Sequence, residues 1–152
     1  MTANAKIIIV LFVASVLGVS LWFNRDPRTS VPLQSSQQTL PLETKEQSAA
    51  NVTIIVTPRA LSPGNPAQFE ITFETHSVDL AFDVSETTTL TDDLGNTYGQ
   101  PVWDGSPPGG HHRTGIIAFN RPLDSRAHDI FLTFRNIADT QERTFTWELK
   151  NP

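Results

Sequence analysis

From Gln68 to Glu74 the side chains alternate without a break, with Phe69, Ile71 and Phe73 on one parity and Gln68, Glu70, Thr72 and Glu74 on the other. A period of two places the aromatic and aliphatic groups on one face of a strand, and it does not fit the 3.6-residue period of a helix. The same signal recurs at Val52, Ile54 and Val56, at Leu80, Phe82 and Val84, at Ile117 and Phe119, at Ile130, Leu132 and Phe134, and at Phe145, Trp147 and Leu149. Each row reads as a half-buried strand that needs a second layer to cover it. Turn-forming residues separate the rows: Ser62-Pro63-Gly64-Asn65-Pro66, Asp92-Asp93-Leu94-Gly95-Asn96, Ser106 to Gly110, and Asn120-Arg121-Pro122. The pattern predicts an all-β domain over residues 51–152, an antiparallel immunoglobulin-like β-sandwich of about seven strands, with a small closed barrel as the alternative closure.

Upstream the pattern changes. Residues 7–23 are apolar or small throughout, interrupted only by Ser15, Gly18 and Ser20. As a helix these residues would reach roughly 25 Å, near the lower limit for crossing a hydrocarbon core of about 30 Å. Leu21, Trp22 and Phe23 before Asn24 and Arg25 resemble an interfacial belt. Residues 1–23 are therefore expected to be a transmembrane signal anchor, with the C-terminal domain outside the cytoplasm; cleavage of the segment would make the protein secreted. Residues 24–50, rich in Ser, Gln, Thr, Pro and Glu with few aliphatics, read as a disordered, flexible linker.

Leu90-Thr91-Asp92-Asp93-Leu94-Gly95-Asn96-Thr97-Tyr98 has the form Leu-x-Asp-x-x-Gly-x-x-Tyr, and Thr114-Gly115-Ile116-Ile117-Ala118-Phe119 follows after a loop. Together these motifs resemble the telokin-like immunoglobulin-fold domains of membrane-anchored bacterial surface proteins, the domain-of-unknown-function 4352 group and its relatives. The resemblance implies a sandwich fold, a surface location and a binding role with no catalytic residues. It departs from the lipoproteins among them in lacking a lipobox cysteine. In physical terms, Asp92 and Gly95 would make a hairpin turn, Tyr98 would re-enter the sheet, and Gly115 would let two strands pass closely.

Formal charge is −5, which disfavours a phosphate-binding surface and nucleic acid as a partner. The chain has no cysteine, which removes disulfides, thiolate ligands and a Cys nucleophile. No nucleophile elbow or phosphate-cradling Gly-rich loop is present, so no enzymatic activity and no resident cofactor are expected. The least generic segment is Trp103-Asp104-Gly105-Ser106-Pro107-Pro108-Gly109-Gly110-His111-His112-Arg113. Trp103, Asp104 and Arg113 form a candidate recognition loop, Trp and Arg being residue types that anchor interfaces. His76, Asp83, His111 and His112 form a candidate metal set for zinc or copper at one end of the sandwich, although adjacent histidines in a regular strand point to opposite faces. Three functions remain open at this level. They are a membrane-tethered extracytoplasmic module binding a protein or small ligand, a metal-binding protein, and a structural subunit of a membrane complex.

Overall fold

The computed structural model describes residues 42–149. The apolar segment at 7–23 and most of the tether lie outside the described residues. In chain order the elements are β1 (Lys45–Ala49), β2 (Val52–Ala60), β3 (Pro66–Thr75), a one-turn helix α1 (Val84–Thr87), β4 (Thr88–Asp92), β5 (Val102–Gly105), β6 (His112–Pro122), β7 (Asp129–Ile137) and β8 (Thr140–Glu148). They form two antiparallel sheets, one ordered β1-β2-β3-β6-β5 and the other β4-β7-β8. The all-β, two-sheet arrangement follows from the period-two rows, because the residues of each row are the ones buried between the sheets: Val52, Ile54 and Val56, then Phe69, Ile71 and Phe73, then Ile130, Leu132 and Phe134, then Phe145, Trp147 and Leu149. An edge-to-face contact crosses this core, Phe73 of one sheet meeting Phe134 of the other at 5.7 Å between ring centroids, and Phe134 meets Phe145 of the neighbouring strand edge-to-face at 5.8 Å.

Three parts of the sequence reading are corrected. Lys45–Ala49, assigned to the linker, is strand β1, paired with β2 from Lys45↔Val56 to Ala49↔Val52. Its alternation was invisible because an edge strand presents only half-buried and exposed side chains, and Asn51, taken as the start of the domain, is the second residue of a tight turn in which Ala50 and Asn51 have φ of 47° and 63°. The row Leu80, Phe82, Val84 is not a strand. The Asp83 carboxylate accepts the amides of Ser85 and Glu86, at 2.7 and 3.3 Å, and so starts α1 at Val84, while Leu80 and Val84 are buried from irregular backbone and helix respectively. Asn120-Arg121-Pro122, read as a turn, ends strand β6, with Pro122 opposite Pro66 at the margin of the sheet, where a missing amide costs no ladder bond.

β1 and β8 lie at the edges of different sheets on the same side of the molecule, and side chains join them. Gln47 Nε2 donates to the Thr144 carbonyl at 2.8 Å, and the Trp147 indole donates to the Glu43 carbonyl at 2.8 Å. Residues read as tether thus close this side of the sandwich.

At the end where β7 begins, the buried carboxylate of Asp92 organises the turn into Tyr98. Its Oδ1 accepts the amides of Leu94 and Asn96, and its Oδ2 accepts Asn96 Nδ2 at 2.8 Å and the Tyr98 hydroxyl at 2.5 Å. Tyr98 Oη in turn accepts the Asp124 amide at 3.0 Å. Desolvation works against the Asp92 charge, but the hydrogen bonds from Tyr98, Asn96 and Leu94 outweigh it and hold the carboxyl below its ordinary range. Burial, together with the neighbouring Asp92 and Asp124 charges, pushes the Tyr98 hydroxyl up to about 12. Paired with Arg126, the Asp124 carboxyl is lowered to about 2.

Replacing Tyr98 with Phe leaves the Asp124 amide without its acceptor and Asp92 Oδ2 with Asn96 Nδ2 alone, so it should lower unfolding free energy by about 1–3 kcal/mol in urea titrations with an unchanged slope. Both carboxyl groups are depressed in the folded state. Their contribution is therefore complete above the ordinary carboxylate range near pH 4 and is lost as pH falls toward about 2. Asp92→Asn should flatten that acid limb in denaturation measured across this range.

Candidate functional site

The Ser106–Gly110 segment, expected to be a loop, is pinned together with His111 to the crossover that follows β3. Gly110 N donates to Asp79 Oδ1 at 2.8 Å, Gly109 N to the Leu80 carbonyl at 2.8 Å, Leu80 N to the Gly110 carbonyl at 3.0 Å, and Thr75 N to the His111 carbonyl at 3.0 Å. These bonds prolong the β3–β6 pairing beyond its last partners, Glu74 and His112. Gly109 and Gly110, at φ of 105° and 78°, adopt the left-handed backbone that this path requires.

Of the expected metal set, the rings of His76 and His112 come side by side, with centroids 6.4 Å apart, and both are exposed, as is His111. Asp83 is used as the cap of α1 and does not join them. No group of three or more metal-capable side chains gathers among the described residues.

Arg113, expected in a recognition loop, is a buried side chain of β6. It falls on the inward parity of β6, two residues before Gly115 and four before Ile117, and it is 2% exposed. Its Nη1 donates to the carbonyls of Leu80 and Phe82 at 2.9 and 2.7 Å, and its Nη2 donates to that of Ser106 at 3.3 Å. The guanidinium carbon lies 5.1 Å from the Phe82 ring centroid and 5.9 Å from that of Trp103. Burial pulls the group below the usual arginine range and the Asp83 charge partly restores it. Trp103 is half-buried, with its indole N–H donating to the Ser106 carbonyl at 3.0 Å, and Asp104 is exposed on the opposite face. The indole ring lies across the paired glycines Gly105 and Gly115: a Cβ built on Gly115 would sit 2.5 Å from Gly105 Cα and 2.8 Å from the Trp103 ring. The close strand passage expected of Gly115 is therefore needed for this ring to lie flat.

Sequence reasoning missed a second buried cation. Arg143 is 4% exposed and donates to the carbonyls of Val52 and Ile137 at 2.7 and 3.2 Å. The signal for both arginines lies in the parity of their strands, because Arg143 continues the buried row of Phe145 and Trp147 just as Arg113 continues that of Ile117 and Phe119.

Opposite the latched β1–β8 side, the chain changes sheets. Thr97 bridges to Thr91, and Tyr98 N reaches the Leu90 carbonyl at 3.1 Å. The chain then leaves β4 through Gly99 and Gln100 to become β5. Two clefts flank α1 here. One, of about 430 Å³, is lined by Ser85, Thr88, Leu90, Thr97, Gly99 and their neighbours. The other, of about 200 Å³, lies between Asp83–Ser85 and the turn carrying Trp103, Ser106, Pro107 and Pro108, with Arg113 in its lining. Ser85 borders both. Val102, at the start of β5, is 54% exposed on this side. A third cleft, of about 350 Å³, lies beside His76 and the β1–β2 turn.

Comparison with family models, with curated proteins and with solved structures returns no match for this chain.

Arg113→Met keeps an apolar stem between Phe82 and Trp103 but leaves three carbonyls without their donor. It should cost about 3 kcal/mol or more, read from urea unfolding, and Arg113→Lys should recover only part of that because one ammonium does not span the same acceptors.

Proposed function

We propose that this chain is a membrane-tethered, extracytoplasmic binding module without catalytic activity, in which an immunoglobulin-like β-sandwich presents its α1 side to a partner. The anchor and its orientation rest on residues 7–23 and on the polar stretch that follows them. The immunoglobulin-like assignment is supported by two antiparallel sheets packed over one aromatic core. The observation that carries the choice of face is the pair of clefts sharing Ser85. The larger has the volume of an ordinary ligand cleft and mostly apolar walls, whereas the far side is occupied by the Gln47 and Trp147 latches.

Two experiments test this reading. Protease added outside intact cells should remove the sandwich while residues 7–23 stay with the membrane; protection of the sandwich would contradict the orientation. A photo-crosslinking residue at Gln100 should join the full chain to one partner, and Thr89→Arg, which places a charge in the larger cleft, should abolish that product without lowering Tm. The same crosslinker at Arg59 should give no such product. Equal products from both positions, or products that survive Thr89→Arg, would overturn the choice of face. Stoichiometric zinc or copper binding that is lost in both His76→Ala and His112→Ala would replace this reading with a metal-binding one.

A further inference from the structure

Arg113 and Arg143 serve the same end of the sandwich, each capping carbonyls where strands begin or run out, yet they are not equivalent. Arg113 Nε is the one buried side-chain nitrogen or oxygen among the described residues that has no hydrogen-bond partner. Arginine carries five N–H bonds in a planar fork. Nη1 spends both of its own on Leu80 and Phe82, and Nη2 spends one on Ser106 at 3.3 Å, the longest of the three contacts. What remains is the Nε–H and one Nη2–H. These lie along the same edge of the guanidinium, the edge that receives both oxygens of a carboxylate. Arg113 also lines a surface cleft, and among the described residues no carboxylate lies within ion-pair distance of it.

We infer that the cleft between Asp83–Ser85 and Trp103–Pro108 is a binding site for a carboxylate on a short apolar chain, gripped by the Nε–Nη2 edge of Arg113. A buried cation with an uncommitted donor gains most from an anionic acceptor, since charge-assisted bonds are about twice as strong as neutral ones. Trp103, Val84, Pro107 and Pro108 supply apolar walls, and about 200 Å³ admits a short organic acid or one acidic side chain but not a drug-sized molecule. One group opposes the ligand. Asp83 lines the same cleft, and its carboxylate, which caps α1 through Oδ1, repels a second anion. That opposition gives the proposal a direction: removing the Asp83 charge while keeping the cap strengthens binding. The inference deepens the reading of the α1 side as the binding face and rests on it.

The test follows the Nε–Hε resonances of Arg113 and Arg143 by NMR in the full chain, with propionate, propionamide and an end-blocked Thr-Glu-Thr peptide as probes. Propionate should displace the Arg113 resonance saturably and leave that of Arg143 in place, and propionamide should do neither. Asp83→Asn should tighten propionate several-fold, because Asn still caps the helix. Ser85→Leu should block binding while the Arg113 resonance of the free protein persists, which shows that its carbonyl bonds survive. Tighter binding of the peptide than of propionate assigns the carboxylate to a polypeptide; equal or weaker binding assigns it to a free small acid. An Arg113 resonance that does not move at about 10 mM propionate in either the wild type or Asp83→Asn, or that responds equally to propionamide, overturns the proposal. These readings do not depend on the Gln100 crosslink, so the site and the choice of face can fail separately.

Discussion

At the end of the sandwich where β3 and β7 run out, backbone carbonyls turn away from their ladders, and two buried guanidinium groups meet them. Arg113 ties Leu80, Phe82 and Ser106 together, and Arg143 ties Val52 to Ile137. A buried carbonyl without a donor costs as much as a lost hydrogen bond, and a buried cation without acceptors costs more. Each removes the other's penalty. The crossover from β3 to α1, the β5–β6 turn and the start of β2 all converge on these two side chains, so the path of the chain at this end depends on them. The aromatic faces of Phe82 and Trp103 enclose the Arg113 charge without competing for its hydrogens.

The opposite end solves the same problem with the opposite charge. The Asp92 carboxylate receives amide, carboxamide and phenol donors, and Tyr98 passes the network on to the Asp124 amide. A carboxylate can gather several donors from one tight turn because its acceptor sites are close together. A guanidinium spreads its donors over a wide fork, which suits carbonyls contributed by elements distant in sequence. The anionic end is therefore built from a local motif, whereas the cationic end is assembled from strands far apart in the chain.

Between these ends the two long sides differ. One is closed by side chains reaching from β1 and β8 to each other's neighbourhood, and the other is left with clefts where the chain passes from sheet to sheet around α1. A sandwich of this kind states little about purpose, because function resides in sites placed on a fold. Here Arg113 serves the fold with three hydrogen bonds, keeps an Nε without a partner, and lies in the lining of the smaller cleft.

The rows at Phe69–Ile71–Phe73, Ile130–Leu132–Phe134 and Phe145–Trp147–Leu149 were determined by sequence alone, because side-chain parity in a strand is a local property of the backbone. The Asp92-to-Tyr98 turn was legible for the same reason, as its partners lie within a few residues. Tertiary structure decided the rest. The Leu80–Phe82–Val84 alternation became a crossover and a helix turn because Asp83 capped Ser85 and Glu86, and because the Leu80 backbone paired with Gly109 and Gly110, contacts made from across the chain. Lys45–Ala49 became a strand because β2 offered it an edge, not because its own residues demanded one. Arg113 and the histidines beside it looked alike as polar loop residues until pairing with β3 started β6 at His112, and from there strand parity puts the arginine inward with Ile117 and Phe119 and leaves His112 in water. Parity within a strand is local, but where a strand begins is set by the partner it pairs with, and that pairing is not written in any single strand.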